Sequence, residues 1–497
     1  MAQRNADPIV GASAPSLRAE CKTTWRLAAP VIVIQLGMMA MGTVDVAMVG
    51  HVSKDALAAV ALGHLYTWAV LSFGFGIVLA VDPIVSQAVG ANDATAARLG
   101  VQRGAILAVL LTLPLSLCML PAEWVLAALG QQPTVVPAAG AYIRTSIPGV
   151  FPFLGFMLLR LTLQAQSRTI ATVVTIAIAN VVNALLNWTL IFGNLGFEPM
   201  GVVGAAWATS ISRWAMLLIL LVVGRRELMP LLWPLHRRVF DVDALWRMLR
   251  LGLPIALQFE LEMGAFALTA LLMGRFGEVE LGGHQIALSL ASLSFMVPLG
   301  ISQAGSVRVG YAVGGSDVAA ARRAATVALF SGVGVMTIFA VVFVMLPSTL
   351  ASLYTTDLAV LAMAATLVPL AGIFQVFDGI QVVAIGILRG LGDTKTPFVV
   401  NLIGFWGIGV PAGALLTYSF GFGPIGLWWG LVIGLAAVAT FLAMRIPGAL
   451  RRGVARLALD ATHGPSDHRA DARVLPEPVD SRSDTRRRDP PRSSESP

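Results

Sequence analysis

Long apolar runs separated by short polar clusters set the character of this chain. Each run is about 20 residues or longer, enough for a helix to cross a hydrocarbon layer roughly 30 Å thick. They predict twelve spans, at residues 26–49, 57–88, 94–119, 135–160, 170–194, 201–223, 246–274, 280–312, 318–346, 358–388, 396–419 and 423–445. The strict polar/apolar alternation of a membrane β-barrel is absent. The expected fold is all-α integral membrane.

The chain also repeats itself. At a shift of 224 residues RLAAP (26–30) lies on RLGLP (250–254), Gly50 on Gly274, and AVGANDATAAR (88–98) on AVGGSDVAAAR (312–322). The match returns, slightly shifted, where LQAQSRTIATVV (163–174) meets LRGLGDTKTPFVV (388–400). Each copy holds six helices, an even number, so both start on the same side of the membrane and the repeat is parallel. The predicted organisation is an N-terminal segment over residues 1–25, a six-helix lobe over 26–223, a linker over 224–245, a second six-helix lobe over 246–445, and a tail over 446–497. Two such bundles facing each other across a cleft suit a solute carrier that works by rocking, with the solute bound between them.

Composition agrees with the membrane reading: 57% of the 497 residues are hydrophobic and 12% charged, with a mean hydropathy of +0.79. A net charge of +7 raises the question of nucleic acid, but the basic residues fall in alternate loops. One set holds Arg18, Lys22, Arg26, Arg98, Arg103, Arg160, Arg168, Arg225, Arg226, Arg237, Arg238, Arg322, Arg323, Arg389, Lys395, Arg451 and Arg452; the other has little beyond Lys54 and Arg275. By the positive-inside rule both termini are expected in the cytoplasm, and a nucleic-acid partner is unnecessary. Cys21 and Cys118 make no disulfide framework. The first 22 residues lack the apolar core of a signal peptide, so the first helix is expected to act as the insertion signal. The tail, ending SRSDTRRRDPPRSSESP, is too polar and proline-rich to bury a core and is expected to be disordered.

Against this background the acids inside the spans stand out, because a carboxylate in a bilayer is costly and is a functional candidate by default. Glu260 and Glu262 lie in LQFELEMGAF, two residues and about 200° apart, so they face different surroundings. Glu262 shares a face with Thr269. Asp378 lies in the middle of the tenth segment, and with Glu262 gives the second lobe two carboxylates able to exchange a proton or to hold Na⁺ through oxygen ligands. Asp45 sits in the first segment, and Asn180, Asn183 and Asn187 in the fifth form one polar stripe suited either to joining helices or to serving Asp45. The repeat puts Met38 opposite Glu262 and Thr269 opposite Asp45, so the scaffold is duplicated but the acids are not.

Met38, Met39, Met41 and Met48 could fill a core or line an adaptable binding wall. Asp82 and Arg308, two residues apart in repeat register, are candidates for a gate pairing the two lobes. GLGDTKT (390–396) lacks the G-x-x-x-x-G-K-[ST] spacing of a phosphate loop. No HExxH, paired CxxC or nucleophile elbow occurs, so an enzyme is not expected, and His284 reads as a packing residue rather than a metal ligand.

These residues resemble the multidrug and toxic compound extrusion (MATE) family, NorM-like branch. The similarity is carried by GTVDVAMVGHVS (42–53), AVDPIVSQAVGAND (80–93), LQAQSRT (163–169), NVVNALLNW (180–188), FELE (259–262), GGHQIAL (282–288), FDGIQ (377–381) and GILRGLGDTKTP (386–397), in order across nearly all twelve spans. The resemblance implies a bacterial inner-membrane antiporter, working as a monomer without a cofactor, that exports organic cations and other amphipathic drugs in exchange for H⁺ or Na⁺. It implies cation coupling at Glu262, Asp378 and Asp45, with Na⁺ conceivable at the first two, and supporting roles for Asn180, Asn183, Asn187, Glu260, Thr269 and Phe374. Asn187 stands where some members have Asp, a lost charge that weakens a proton site in the first lobe, and Phe374 stands where some Na⁺-coupled relatives have Tyr, which favours H⁺. The alternative is a flippase for a lipid-linked oligosaccharide or peptidoglycan precursor, whose anionic substrate would call for a basic cleft.

Overall fold

A computed structural model describes residues 17–451 and 456–457; the expectations for residues 1–16, and most of those for the tail, lie outside the described residues. Twelve helices long and apolar enough to span a membrane follow in order: α1 (Leu17–Gly50), α2 (Lys54–Gly90), α3 (Ala94–Met119), α4 (Val136–Ala165), α5 (Ile170–Phe192), α6 (Gly201–Val223), α7 (Val242–Gly274), α8 (Glu278–Gly314), α9 (Val318–Met345), α10 (Leu358–Gly390), α11 (Lys395–Ser419) and α12 (Pro424–Arg451). The fold is an all-α integral membrane protein, and most helix ends fall within a few residues of their predicted limits.

The departures have local causes. α2 loosens at Leu79 and Ala80, where Pro83 supplies no N–H for the Leu79 carbonyl. α11 winds as a wider π-helix over Leu402–Gly409 and Leu415–Ser419, a stretch crowded with Gly404, Gly407, Gly409, Pro411 and Gly413. α1 begins at Leu17, nine residues before the predicted lobe boundary, and its early turns bury Glu20. The linker is also packed. A helix at Arg225–Leu232 buries Leu228 and Leu231, and its chain is held where Arg98 Nε donates to the Pro230 carbonyl (3.0 Å) and Gln102 Nε2 to that of Pro234 (2.9 Å). Beyond α12, Arg456 pairs with Asp93 at 2.8 Å, and the Leu457 amide donates to Gln87 Oε1 at 2.8 Å, so the start of the tail is docked.

The opening helix of each lobe is shared. Leu27 and Ala28 of α1 belong to the second lobe's core, whereas Ile34 and Met41 belong to the first. Reciprocally, Met248 and Ile255 of α7 sit in the first lobe's core and Ala265 in the second. Pro30 and Pro254, equivalent in the repeat, lie near these two crossovers.

Between the crossovers the lobes meet along a seam that respects the repeat. A side chain on Gly76 would run into the backbone of Ala256, and one on Gly300 into Ile32; these are the same contact seen from the two copies. Ser306 Oγ donates to Asp82 Oδ2 at 2.6 Å across a separation of 224 residues, so repeat-equivalent positions touch each other. A pseudo-twofold axis therefore passes between α2 and α8. Gln87 Nε2 donates to the Gly390 carbonyl (2.9 Å), Arg160 donates to Gln303 Oε1 (2.8 Å), and Tyr311 Oη donates to the Ala165 carbonyl. These contacts lie in the half of the bundle nearest the Arg-rich loops, called the basic end below.

Placing a bulky side chain in the seam should part it. Ser86, fully buried against α8, reports on this: in a background without Cys21 and Cys118, Ser86→Cys is expected to resist maleimide. With Gly76→Leu added, labelling should become several-fold faster, whereas unchanged labelling would show that the lobes are not held by this contact.

Candidate functional site

Two acidic sites form, one per lobe, and their surroundings differ in kind. In the first lobe Asp45 is 1% exposed. Asn187 Nδ2 donates to its Oδ1 (2.5 Å) and Thr209 Oγ1 to its Oδ2 (2.8 Å), while Asn183 Oδ1 accepts from Asn187 (3.2 Å). The buried guanidinium of Arg213 lies close enough to act on the carboxylate electrostatically and also rests over the Phe153 ring at 5.4 Å. Asp45 thus has donors on both oxygens and a cation nearby, which is what makes a buried carboxylate tolerable.

The asparagine stripe divides. Asn183 and Asn187 serve the acid, but Asn180, one turn earlier, donates to the carbonyls of Gly37 (3.0 Å) and Ile176 (2.9 Å) and joins α5 to α1 instead. Thr209 and Arg213 come from α6 and were not singled out in the sequence. Arg213 carried a readable signal, as a charge inside an apolar span.

The second lobe brings Glu262 and Asp378 together. Asp378, 7% exposed, lies within electrostatic reach of Glu262, which is partly accessible. One turn away on the same two helices, Phe266 and Phe374 begin a cluster of rings. Phe266 meets Phe374 edge-on at 5.9 Å and Phe405 at 6.3 Å, and Phe374 meets Trp428 at 6.3 Å. Trp428 also meets His284 at 5.7 Å, and the ring nitrogens of both are buried without partners among the described residues. Thr269, predicted beside Glu262, is buried but spends its hydroxyl on the Ala265 carbonyl (2.9 Å). Trp406, in the π-helical part of α11, donates to the Leu261 carbonyl (3.0 Å), tying that irregular helix to the acid-bearing one. Phe266, Phe405 and Trp428 went unremarked in the sequence because they come from three separate helices and look like ordinary core.

Glu260 points elsewhere, as its angular offset requires. Ser72 Oγ of the first lobe donates to its Oε1 at 2.6 Å, and its neighbour Phe259 stacks on Phe75 at 5.9 Å. Glu260 therefore sits on the seam.

Asp82 and Arg308 do not pair. Arg308 grips Glu20 with two hydrogen bonds of 2.8 and 2.9 Å, whereas Asp82 receives Ser306 and lies 3.5 Å from Arg389 Nε. The reason is helical geometry: Ser306 and Arg308 are two residues apart, so when one faces Asp82 the other faces away. Arg103, Arg160 and Arg389, counted above as loop charges, are instead 1%, 2% and 5% exposed, and Arg160 and Arg389 surround Asp82 in the seam.

The sequence pattern of the MatE family matches residues 30–189 and again 254–415, two stretches that begin 224 residues apart, as the internal repeat does. The chain belongs to the MatE family. It is 40% identical to the "Probable multidrug resistance protein NorM" of Mesorhizobium japonicum, over 88% of this chain and 96% of that protein. It is 36% identical to the "Multidrug resistance protein NorM" of Burkholderia vietnamiensis, over 87% and 95%. Among solved structures, the eukaryotic MATE transporter AtDTX14 superposes with a TM-score of 0.80 at 23% identity, covering 88% of this chain and 98% of that one. The crystal structure of MATE in the straight conformation gives a TM-score of 0.78 at 20% identity. These last two establish the MatE fold.

The donors around Asp45 should carry measurable stability. Thr209→Val keeps the shape but leaves Asp45 Oδ2 without its hydroxyl donor, and is expected to cost about 1–3 kcal/mol, read as a lowered Tm of the purified protein in detergent. An unchanged Tm would show that this hydrogen bond does not hold the site.

Proposed function

We propose that this chain is a secondary antiporter of the bacterial inner membrane, with both termini cytoplasmic, that exports organic cations and other amphipathic compounds in exchange for an inward-moving proton. The observation carrying this reading is the Glu262–Asp378 pair: two carboxyls within electrostatic reach of each other, one turn from the packed rings of Phe266 and Phe374, with no basic side chain pairing with them among the described residues. Such a setting attracts a hydrophobic cation twice, through its charge and through its rings, since aromatic faces favour cations. The names carried by relatives at 36–40% identity support drug export. Asp45, already served by donors and Arg213, is the weaker candidate for the exchanged ion.

The aromatic side chains on these helices support proton rather than Na⁺ coupling. A sodium ion needs a cage of oxygen ligands, and the ring cluster that begins one turn from each acid, Phe266, Phe374, Phe405 and Trp428, offers carbon. A proton needs only the carboxylates. Charge supports the orientation: with Arg103, Arg160 and Arg389 set aside as buried, Arg18, Lys22, Arg98, Arg225, Arg226, Arg322, Arg323 and Arg451 still gather at one end, which the positive-inside rule assigns to the cytoplasm. The seam then closes the cytoplasmic side, and the acid pair communicates outward.

Exchange works by competition. A proton arriving from outside neutralises a carboxyl, weakens its hold on the cationic cargo and releases it outward. In the opposite state the seam parts, the proton leaves to the cytoplasm, and the restored negative charge binds new cargo. The parting exposes Asp82, Arg160 and Arg389 to water, which offsets the loss of their mutual contacts. An anionic lipid-linked substrate is disfavoured by the same acidic pocket.

Glu262→Gln and Asp378→Asn are near-isosteric and remove the exchangeable proton. Each is expected to abolish uphill efflux of a fluorescent organic cation from proteoliposomes while leaving Tm within a few degrees of the parent. Normal uphill efflux by either variant would refute the role of that residue.

A further inference from the structure

At the basic end, between the first turns of α7 and the loop from α10 to α11, lies a cleft of about 240 Å³ lined by Arg247, Arg250, Leu251, Gly392, Asp393, Thr394 and Lys395. Its polar character is cationic. Arg247 and Arg250 are three residues apart and share a face of α7, and Lys395 faces them from the start of α11. Among the described residues none of the three has an acidic partner within ion-pair distance, and the Arg247 Nε is buried without any acceptor. The one acid present, Asp393, is already engaged: Arg445 donates to its Oδ2 at 2.8 and 3.2 Å, as does Thr396 Oγ1 at 2.9 Å.

The depth of the cleft in the membrane can be read from Trp246. It is exposed and carries the Arg250 guanidinium over its ring at 5.2 Å, and a tryptophan beside a basic residue at a helix end marks the headgroup layer. Basic pockets between membrane helices at that level suit phosphate groups, which Arg can grip with two donors at once.

We propose that this cleft binds a phosphate-bearing anion, and that its resident ligand is the headgroup of an anionic phospholipid in the leaflet at the basic end. Its position gives the ligand a consequence. Arg247 and Arg250 flank Met248, which packs in the first lobe's core, whereas Gly392–Lys395 belong to the second lobe, and Leu457 packs over Gly392. A phosphate held by both sides ties the lobes together beside the seam and stabilises the conformation in which the seam is closed. This inference is independent of what the protein exports.

The test uses the full chain in phosphatidylcholine nanodiscs, read by Tm. Because a ligand bound to the folded state stabilises it by mass action, replacing a minority of the lipid with phosphatidylglycerol is expected to raise Tm by a few degrees. The combined variant Arg247→Gln/Arg250→Gln/Lys395→Gln should lose that rise, whereas Arg225→Gln/Arg226→Gln, which also removes exposed charge from the basic end, should keep it. Inorganic phosphate added to pure phosphatidylcholine discs separates the sources. No rise with phosphate assigns the site to lipid; an equal rise assigns it to a soluble phosphate compound and overturns the lipid assignment. Should the combined variant not fold, Lys395→Glu, at an exposed position, is expected to need several-fold more phosphatidylglycerol for the same shift. A parent that ignores phosphatidylglycerol, or cleft variants that respond as the parent does, would overturn the proposal.

Discussion

The closed seam between the two repeats is the constraint on which the rest depends. Gly76 against the Ala256 backbone and Gly300 against Ile32 bring helices of the two repeats so close that neither glycine has room for a side chain. In a membrane, where lipid tails are as apolar as leucine, close packing of small residues and buried hydrogen bonds must hold helices together. Ser306–Asp82, Gln87–Gly390 and Arg160–Gln303 supply those bonds. They join repeat-equivalent surfaces about one axis, so the parting of the lobes in the proposed cycle is a separation of two similar bodies, with α1 and α7, which cross from one core to the other, as the places where the chain would bend.

Symmetry in the scaffold frees the chemistry to be asymmetric. The first lobe surrounds its acid with partners: Asn187 and Thr209 donate to Asp45, and Arg213 lies within electrostatic reach. The second lobe leaves Glu262 and Asp378 to repel each other among aromatic rings. In the proposed cycle a cation or a proton answers that pair, and closure of the seam sets the side from which it arrives.

Much of this was legible in the chain. Twelve helices followed from hydropathy because the bilayer imposes a length on every span, and the two lobes followed from the 224-residue repeat, which the MatE match reproduces. The acids were legible because charge inside an apolar run is conspicuous. Hydropathy does not distinguish a basic residue in a loop from one near a helix end that turns inward, and Arg160 and Arg389 are of the second kind, buried beside Asp82. Repeat register located the meeting of Asp82 with α8 but not its partner, since Ser306 and Arg308 point to opposite sides of one helix. The aromatic walls from Phe266, Phe405 and Trp428 exist only through tertiary packing. Past the predicted lobe end at 445, α12 runs on to Arg451, and Leu457 docks on Gln87 and Gly392.

The central claim, that the Glu262–Asp378 pair couples export to proton entry, is tested most directly by loading proteoliposomes with a fluorescent organic cation and imposing a pH gradient in sodium-free buffer. Efflux that starts with the gradient and collapses on adding a protonophore is the predicted result. Efflux that waits for a sodium gradient would contradict it, since the same carboxylates would then be ligands for Na⁺ rather than carriers of a proton.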